Sequence, residues 1–499
     1  MTEFFPRGAR GAITDALSDT RGVFVLGARQ VGKSTLAQQV AEQDHPAQMV
    51  SLDARIPREA ALADPEGFAA GLRRPVLIDE VQRGSPDLLL AIKSILDRDP
   101  EPGQFLLTGS ANVLRNRRVA DALTGRVEMV TLWPLAQSEI EGASANLVDA
   151  LFASEPPRVE GAPSGREALR GRIAAGGYPE ARLRTGNRRA RWFQSYLQGT
   201  FEKDLETITQ AHKLDEMPRL LRLLASQAAN LFVPAAIGKK MSLDHRTVAS
   251  YAGLLETIFL VKRLPAWQPG LGQREIKTPK AYVVDSGLLL YLLGADEQRL
   301  LDDNQVTGRA LENFVAMEIL RHAEWSDLMP RVYHYRRGRD EIDLVLEDRR
   351  GRIVAVEVKA RESLGRDAWR PLARLRDKLG DRFRCGVVVH TGDQTIPVGD
   401  RLFALPLSGL WAGAPASRRP RRCDSPAARC PSSSQRSWPP RHPPTPRSRP
   451  RPTPTPRPPP ASRCRPARRS APPTSTRTSP TSSPTAAGSP PASRPSRPR

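Results

Sequence analysis

Cysteine is scarce in this chain: four occur in 499 residues, and three of them, Cys423, Cys430 and Cys464, lie beyond residue 411. Cys385 alone cannot build a disulfide framework, and no zinc-ligand spacing is present. Its setting, Cys385-Gly386-Val387-Val388-Val389, predicts a thiol buried on a strand. Long apolar runs are also missing. With no uninterrupted stretch of about eighteen apolar residues, a membrane-spanning helix is not expected. The opening Met1-Thr2-Glu3-Phe4-Phe5-Pro6-Arg7 lacks the apolar core of a secretory signal. These absences predict a soluble, cytoplasmic protein without a membrane partner.

Lysine and acidic residues almost vanish from residues 412–499. That segment holds 19 arginines against one acid, Asp424, with a single aromatic residue, Trp438, and 25 of the chain's 47 prolines. The formal charge of +22 therefore resides mostly in the tail: residues 1–411 carry 57 basic and 53 acidic side chains, a net of +4. A basic face on the folded part cannot be read from the whole-chain balance. The tail has too little apolar surface to offset ordering entropy, so disorder is expected from residue 412 onward. A basic arm for nucleic acid, a proline-rich linker and an out-of-frame extension of a GC-rich gene all fit its composition. The change falls just after Leu405-Pro406-Leu407-Ser408-Gly409-Leu410-Trp411, which favours the extension. Two or three folded domains are expected before it.

What is present is most informative near the amino terminus. Residues Gly27-Ala28-Arg29-Gln30-Val31-Gly32-Lys33-Ser34 have the form G-x-x-x-x-G-K-[ST], with Thr35 following. The apolar residues 22–26 suit a buried parallel strand, and Leu36, Ala37, Val40 and Ala41 share one face of a helix. Strand, loop and helix in that order predict a phosphate-binding loop rather than a chance glycine-rich turn. Its N–H groups would point at phosphate oxygens, Lys33 would reach the β- and γ-phosphates, and the Ser34 hydroxyl would take a place on Mg²⁺.

Pro75-Val76-Leu77-Ile78-Asp79-Glu80 supplies a second apolar strand, ending in two carboxylates. Asp79 would hold Mg²⁺ through water, and Glu80 would orient or deprotonate the attacking water. A third strand, residues 104–107, ends in Thr108-Gly109-Ser110-Ala111-Asn112, where Thr108 is placed to sense a γ-phosphate by hydrogen bonding. Arg126, in Leu123-Thr124-Gly125-Arg126-Val127, is either a transition-state cation, on its own site or a neighbouring subunit's, or an ordinary surface arginine.

Together, G-A-R-Q-V-G-K-S, L-I-D-E-V-Q, L-T-G-S-A-N, L-T-G-R-V and Trp133-Pro134-Leu135 resemble the prokaryotic AAA+-type ATPases whose ATPase module precedes a large C-terminal region of undefined function. The likeness spans about residues 5–411. It implies ATP binding at residues 27–35 with Mg²⁺, and slow hydrolysis. An oligomer stays open, because Arg126 acting on a neighbour would need one.

The first domain is placed at residues 1–150, with a loose Ala/Gly/Pro stretch at 155–165 as its boundary. Residues 166–300 are expected to be a helical connector and a winged-helix region. Gly176-Gly177-Tyr178-Pro179-Glu180 is similar to the family's junction turn. Asp244 offers an N-cap ahead of a helix with Val248, Tyr251, Leu254 and Leu255 inward. That helix resembles the recognition helix of a winged helix-turn-helix, with His245 and Arg246 facing DNA. Because few basic residues line it, a lid or protein-contact role is the alternative. Lys277, Lys280 and Asp285-Ser286-Gly287 follow in a strand and turn to which no role can be assigned.

In residues 301–411, Gly308 to Val315 begin an amphipathic helix with Leu311, Phe314, Val315 and Ile319 inward. Three strands follow, the second containing Asp343 and the third Glu357 and Lys359, which alternation puts on one face. Asp343 and Glu357 are placed to share Mg²⁺, and Lys359 to position or polarise an attacking water. Asp343, then Glu357-Val358-Lys359, with Glu312 on the preceding helix, resembles the restriction-endonuclease-like core. That resemblance implies metal on Asp343 and Glu357, help in hydrolysis from Lys359, and Glu312 as an accessory acid. Surface ion pairs on a hairpin, or a nuclease-like fold kept as a binding module, are the alternatives.

The expected whole is an α/β chain: a P-loop NTPase (AAA+-like) domain, a helical and winged-helix region, a restriction-endonuclease-like α/β domain and a disordered tail. ATP and Mg²⁺ are its expected ligands. DNA is a candidate partner of the winged-helix or nuclease-like part.

Overall fold

The computed structural model describes residues 4–110, 121, 123–143, 145–153, 166–202, 214–270, 274, 277–338 and 340–411. The expectations for residues 412–499, for the boundary at 155–165, and for Ala111 and Asn112 lie outside these residues.

Short, uniformly apolar runs form the first sheet. β1 (Gly22–Gly27), β2 (Gln48–Ser51), β3 (Val76–Asp79), β4 (Phe105–Gly109) and β5 (Val127–Leu132) are all parallel, in the order β2-β3-β4-β1-β5. Every residue of β1 is buried, as a strand covered on both faces requires. Alternation sends Val23 and Val25 into one core with Ile13 and Leu17 of helix Ala9–Asp19 and Leu36 of helix Lys33–Gln39. Phe24 and Leu26 point the other way, into a core with Leu88, Ile92 and Leu96 of helix Pro86–Arg98. Because β4 lies between β1 and β3, the tip of β4 stands between the phosphate loop and Asp79.

Helix Met217–Ser226, β6 (Asn230–Leu231), helices Pro234–Met241 and His245–Thr257, β7 (Val261–Leu264) and β8 (Lys280–Val283) follow in turn. The three strands make an antiparallel sheet in the order β6-β8-β7. Asp244 caps helix His245–Thr257, its carboxylate accepting from the amides of Arg246 at 2.8 Å and Thr247 at 3.4 Å. Val248, Tyr251, Leu254 and Leu255 are buried.

The last sheet is mixed. β9 (Arg331–Arg337), β10 (Asp340–Glu347) and β11 (Ile353–Lys359) form an antiparallel meander, and helix Arg370–Leu379 returns the chain to β12 (Phe383–His390), parallel to β11. β13 (Ile396–Gly399) and β14 (Leu402–Pro406) complete the order β13-β14-β12-β11-β10-β9. Cys385 is buried on β12, donating to the Leu151 carbonyl at 3.3 Å, and burial pushes its thiol up to about 12.

Helix Asn304–Glu324 differs from the expectation of an amphipathic helix. From Ala310 to Ala323 every residue except Glu312 is buried, including Asn313, Glu318, Arg321 and His322. A helix walled on all sides has no solvent face to mark with a polar stripe. Its polar side chains instead reach neighbouring segments. The three parts read from the sequence also share one core: the largest apolar cluster runs from Ala9 to Trp411. Smaller cores lie under the first sheet, around Phe24 and Ile92, and under the last, around Trp267 and Val388.

Candidate functional site

The phosphate loop leaves β1 where no side chain fits. A Cβ on Gly27 would lie 2.2 Å from the Leu132 carbonyl oxygen, and Gly32, the last loop residue before the helix, has φ +95°. Ala28 and Val31 are buried, while Arg29, Gln30, Ser34 and Thr35 reach the surface to varying degrees. Lys33 is only 6 % exposed, and its ammonium folds onto the loop, donating to the Gly27 carbonyl at 3.2 Å and the Ala28 carbonyl at 2.8 Å.

Across the tip of β4 lies the acidic pair. Asp79 is buried and accepts from the Thr108 hydroxyl at 2.5 Å and, longer, from Ser51 at 3.4 Å. The Glu80 backbone, at φ +56°, donates to the same Thr108 oxygen at 3.0 Å. Thr108, expected to sense a γ-phosphate, stands at the tip of β4 beside the acidic pair. Its side chain is fully buried and its single hydroxyl proton goes to Asp79, so in this arrangement it holds the acidic pair. Gln82, quoted in the L-I-D-E-V-Q motif but given no role there, donates to the Glu80 carboxylate and accepts from the Ser110 amide at 3.3 Å.

Arg126 is not at this site. Val127 pairs with Gly22 and Leu132 with Gly27, so Arg126 sits at the amino end of β5, about 16 Å of strand from the loop. Its guanidinium pairs with Asp97, whose carboxyl it holds down at about 2 with help from Lys93. An action of Arg126 on its own chain's loop is thereby excluded; an action on a neighbouring subunit's is left.

Arg7, passed over in the sequence, braces the loop from behind. It donates to the Val31 carbonyl at 2.7 Å, the Trp133 carbonyl at 2.7 Å and Glu139 Oε1 at 3.1 Å. Glu139 is also buried, and accepts from the amides of Gly8 and Ala136, each at 2.8 Å. Its helix, Gln137–Ile140, touches helix Asn304–Glu324: the Gln137 amide donates to Glu318 Oε2 at 2.8 Å, and Ser138 meets His322 Nε2 at 3.1 Å. The Leu147 amide donates to His322 Nδ1 at 3.2 Å, so Nδ1 carries no proton and Nε2–H donates to Ser138. Burial, then Arg321, pushes His322 down to about 4.

A second polar cluster meets that helix nearer its middle, at Glu312. The β10–β11 register pairs Leu344 with Val356, which sets Asp343 opposite Glu357. Asp343 also sits in the irregularity where β10 leaves register with β9, a place where strands re-aim a side chain. It accepts from the Val358 amide at 3.0 Å, and Lys359 pairs with Glu357 Oε1 at 2.5 Å. Glu357 Oε2 is buried with no hydrogen-bond partner among the described residues.

Lys280, the first residue of β8, enters this cluster. It pairs with Glu312, Glu341 and Asp343, and Tyr282 adds a long contact to Glu312 at 3.5 Å. Burial, then Asp343, pushes Glu312 up to about 8 and Glu357 up to about 7, against the pull of Lys280 and Lys359. Burial alone would lower Lys280, but Tyr282, Asp343 and Glu312 outweigh it and keep it charged. The structure thus brings Asp343, Glu357, Lys359 and Glu312 together, around the ammonium of Lys280, a residue to which the sequence assigns no role. Among the described residues, no group of three or more His, Cys, Asp or Glu side chains is arranged to hold a metal ion.

Comparison with known proteins finds three family matches along the chain. Residues 19–141 match the family described as AAA domain, 166–299 a Domain of unknown function (DUF8612), and 307–410 a Domain of unknown function (DUF4143). The uncharacterized proteins Rv2008c of Mycobacterium tuberculosis and Mb2031c of Mycobacterium bovis are each 29% identical over 405 residues, 80% of this chain and 83% of theirs. Among solved structures, the Thermotoga maritima RuvB Holliday junction branch migration motor aligns at 15% identity with a TM-score of 0.26, over 52% of this chain and 91% of its own. AMPPCP-bound DnaA from Aquifex aeolicus aligns at 16% identity with a TM-score of 0.23, over 51% and 89%. No described helix is long and apolar enough to cross a membrane. With its phosphate loop, its sheet order and the family match of residues 19–141, the chain carries an N-terminal P-loop domain of the AAA+ ATPase type, followed by a C-terminal domain of the DUF4143 family.

Proposed function

We propose that the chain hydrolyses ATP with Mg²⁺ and passes the state of its phosphate loop to its C-terminal domain. The observation that carries this reading is the buried Lys33 ammonium on the Gly27 and Ala28 carbonyls, with Asp79 and Glu80 across the tip of β4. An incoming triphosphate would offer Lys33 anionic partners in place of neutral carbonyls. Ser34 and Asp79, a hydroxyl and a carboxylate, are hard oxygen donors that suit Mg²⁺, which would offset phosphate charge. Thr108 fixes Asp79 and the Glu80 backbone, Gln82 holds the Glu80 carboxylate, and Glu80 orients or deprotonates the attacking water.

Transmission is supported by an unbroken series of buried contacts. Val31 in the loop is held by Arg7, Arg7 by Glu139, and the helix of Glu139 by Glu318 and His322. Glu312 lies six residues before Glu318, about 9 Å along the same helix. A loop carbonyl displaced by nucleotide would therefore pull on a helix that also carries Glu312 of the carboxylate cluster.

Binding of a fluorescent ATP analogue and phosphate release test the proposal. Lys33→Ala is expected to abolish both, and Glu80→Gln to keep binding while losing turnover. Hydrogen exchange along Asn304–Glu324 is expected to respond to ATP in the wild type and not in Lys33→Ala. Unchanged binding and turnover in Lys33→Ala would overturn the reading.

A second reading, DNA binding by the middle region as a winged helix, is supported by exposed Lys239, Lys240, His245 and Arg246 at the facing ends of two consecutive helices. The order of helices and strands from Met217 to Val283 suits it. A gel shift that Lys240→Glu/Arg246→Glu fails to weaken would refute it.

A further inference from the structure

The likeness to a restriction-endonuclease-like core implies a divalent cation between Asp343 and Glu357. The residues present do not fit one, because the middle of the cluster is filled. Lys280 Nζ lies 2.8 Å from Glu312 Oε1, 3.0 Å from Glu341 Oε1 and 3.2 Å from Asp343 Oδ1. An ammonium has three N–H donors, and three carboxylates saturate it. The separations are those of charge-assisted hydrogen bonds. Mg²⁺ needs near-octahedral oxygens at about 2.0–2.1 Å, a shell these carboxylates cannot close while Nζ stands among them. A second cation beside a buried ammonium would also meet strong repulsion, since low-dielectric surroundings screen it poorly.

Nor is Lys280 placed to swing away. Its side chain is 2% exposed, and its backbone lies in the central strand of its sheet, paired with Leu264 on one side and Leu231 on the other. Asn313 ties the same strand to helix Asn304–Glu324, accepting from the Val283 amide at 2.9 Å and donating to its carbonyl at 2.8 Å. On the cluster's other side, Lys359 already neutralises Glu357. The remaining buried oxygen, Glu357 Oε2, is a single donor and cannot hold a divalent ion by itself.

We infer that Lys280 is the resident cation of this cluster: the middle region lends an ammonium to the place where the nuclease likeness of the C-terminal domain calls for Mg²⁺, and so that domain does not cleave phosphodiesters by divalent-cation chemistry. This goes beyond the ATPase reading and does not rest on it. The test is a Mn²⁺ titration of the nucleotide-free full chain, following the free-ion signal by electron paramagnetic resonance. Wild type and Glu357→Gln are expected to give the same isotherm, because any ion weakly held near Ser34 and Asp79 is common to both. Lys280→Met removes the ammonium while keeping an unbranched stem, and is expected to gain one bound Mn²⁺ per chain, lost again in Lys280→Met/Asp343→Asn. A wild-type Mn²⁺ site that disappears in Glu357→Gln would overturn the inference, as would a folded Lys280→Met chain that gains no site. Should Lys280→Met fail to fold, the wild type against Glu357→Gln comparison decides alone.

Discussion

Acid should loosen the joint between the ATPase domain and helix Asn304–Glu324 through one side chain. His322 is buried between Ser138, the Leu147 amide and Trp325, and its folded pKa falls to about 4 from an ordinary 6.5. The unfolded chain therefore takes up a proton as pH falls through 6.5, while the folded chain holds the ring neutral until about 4. The stability it contributes is complete above the unfolded value, declines as pH drops below it, and levels off below the folded one. From pH 7.5 to 5.0 the difference grows by about 1.5 pH units of proton binding, or about 2 kcal/mol at roughly 1.4 kcal/mol per unit. Urea unfolding of wild type and His322→Gln at both pH values isolates this quantity, because every other titrating group cancels in the difference. The wild-type advantage is expected to shrink by about 2 kcal/mol on acidification. Proton NMR gives a second reading: the His322 ring signal should stay still from pH 8 to 5. A stability gap independent of pH, or a His322 ring that titrates near 6.5, would refute the reasoning.

Two further substitutions probe the loop and its surroundings. Arg7→Met strands the buried Glu139 carboxylate and frees the Val31 and Trp133 carbonyls, so urea unfolding should show a loss of about 3–5 kcal/mol, with weaker nucleotide binding; a loss below about 1 kcal/mol would refute the brace. Arg126→Ala, at the far end of β5, should leave ATP affinity unchanged in an equilibrium titration, and a marked fall in affinity would contradict its placement away from the loop.

The parts of this protein that were legible in the sequence are those whose determinants are neighbours in the chain. The phosphate loop is eight consecutive residues between a strand and a helix, and its glycines answer to local backbone geometry. Asp79 and Glu80 end an apolar run, and the Asp343 and Glu357-Val358-Lys359 pattern follows from strand alternation. What escaped depends on contacts between distant residues. Arg7 finds Glu139 across 132 positions, and Thr108 gives its proton to Asp79 across 29. Helix Asn304–Glu324 buries the expected Leu311, Phe314, Val315 and Ile319, but its outer face is covered as well, by segments that the local pattern does not contain. Lys280 is the clearest case. It opens a four-residue strand, and its partners Glu312 and Asp343 lie 32 and 63 residues further on. A lysine beside Pro279 and Ala281 bears no local mark of three carboxylates. Only the meeting of β8, the central helix and β10 supplies them, and that meeting decides whether the carboxylates see a metal or an amine.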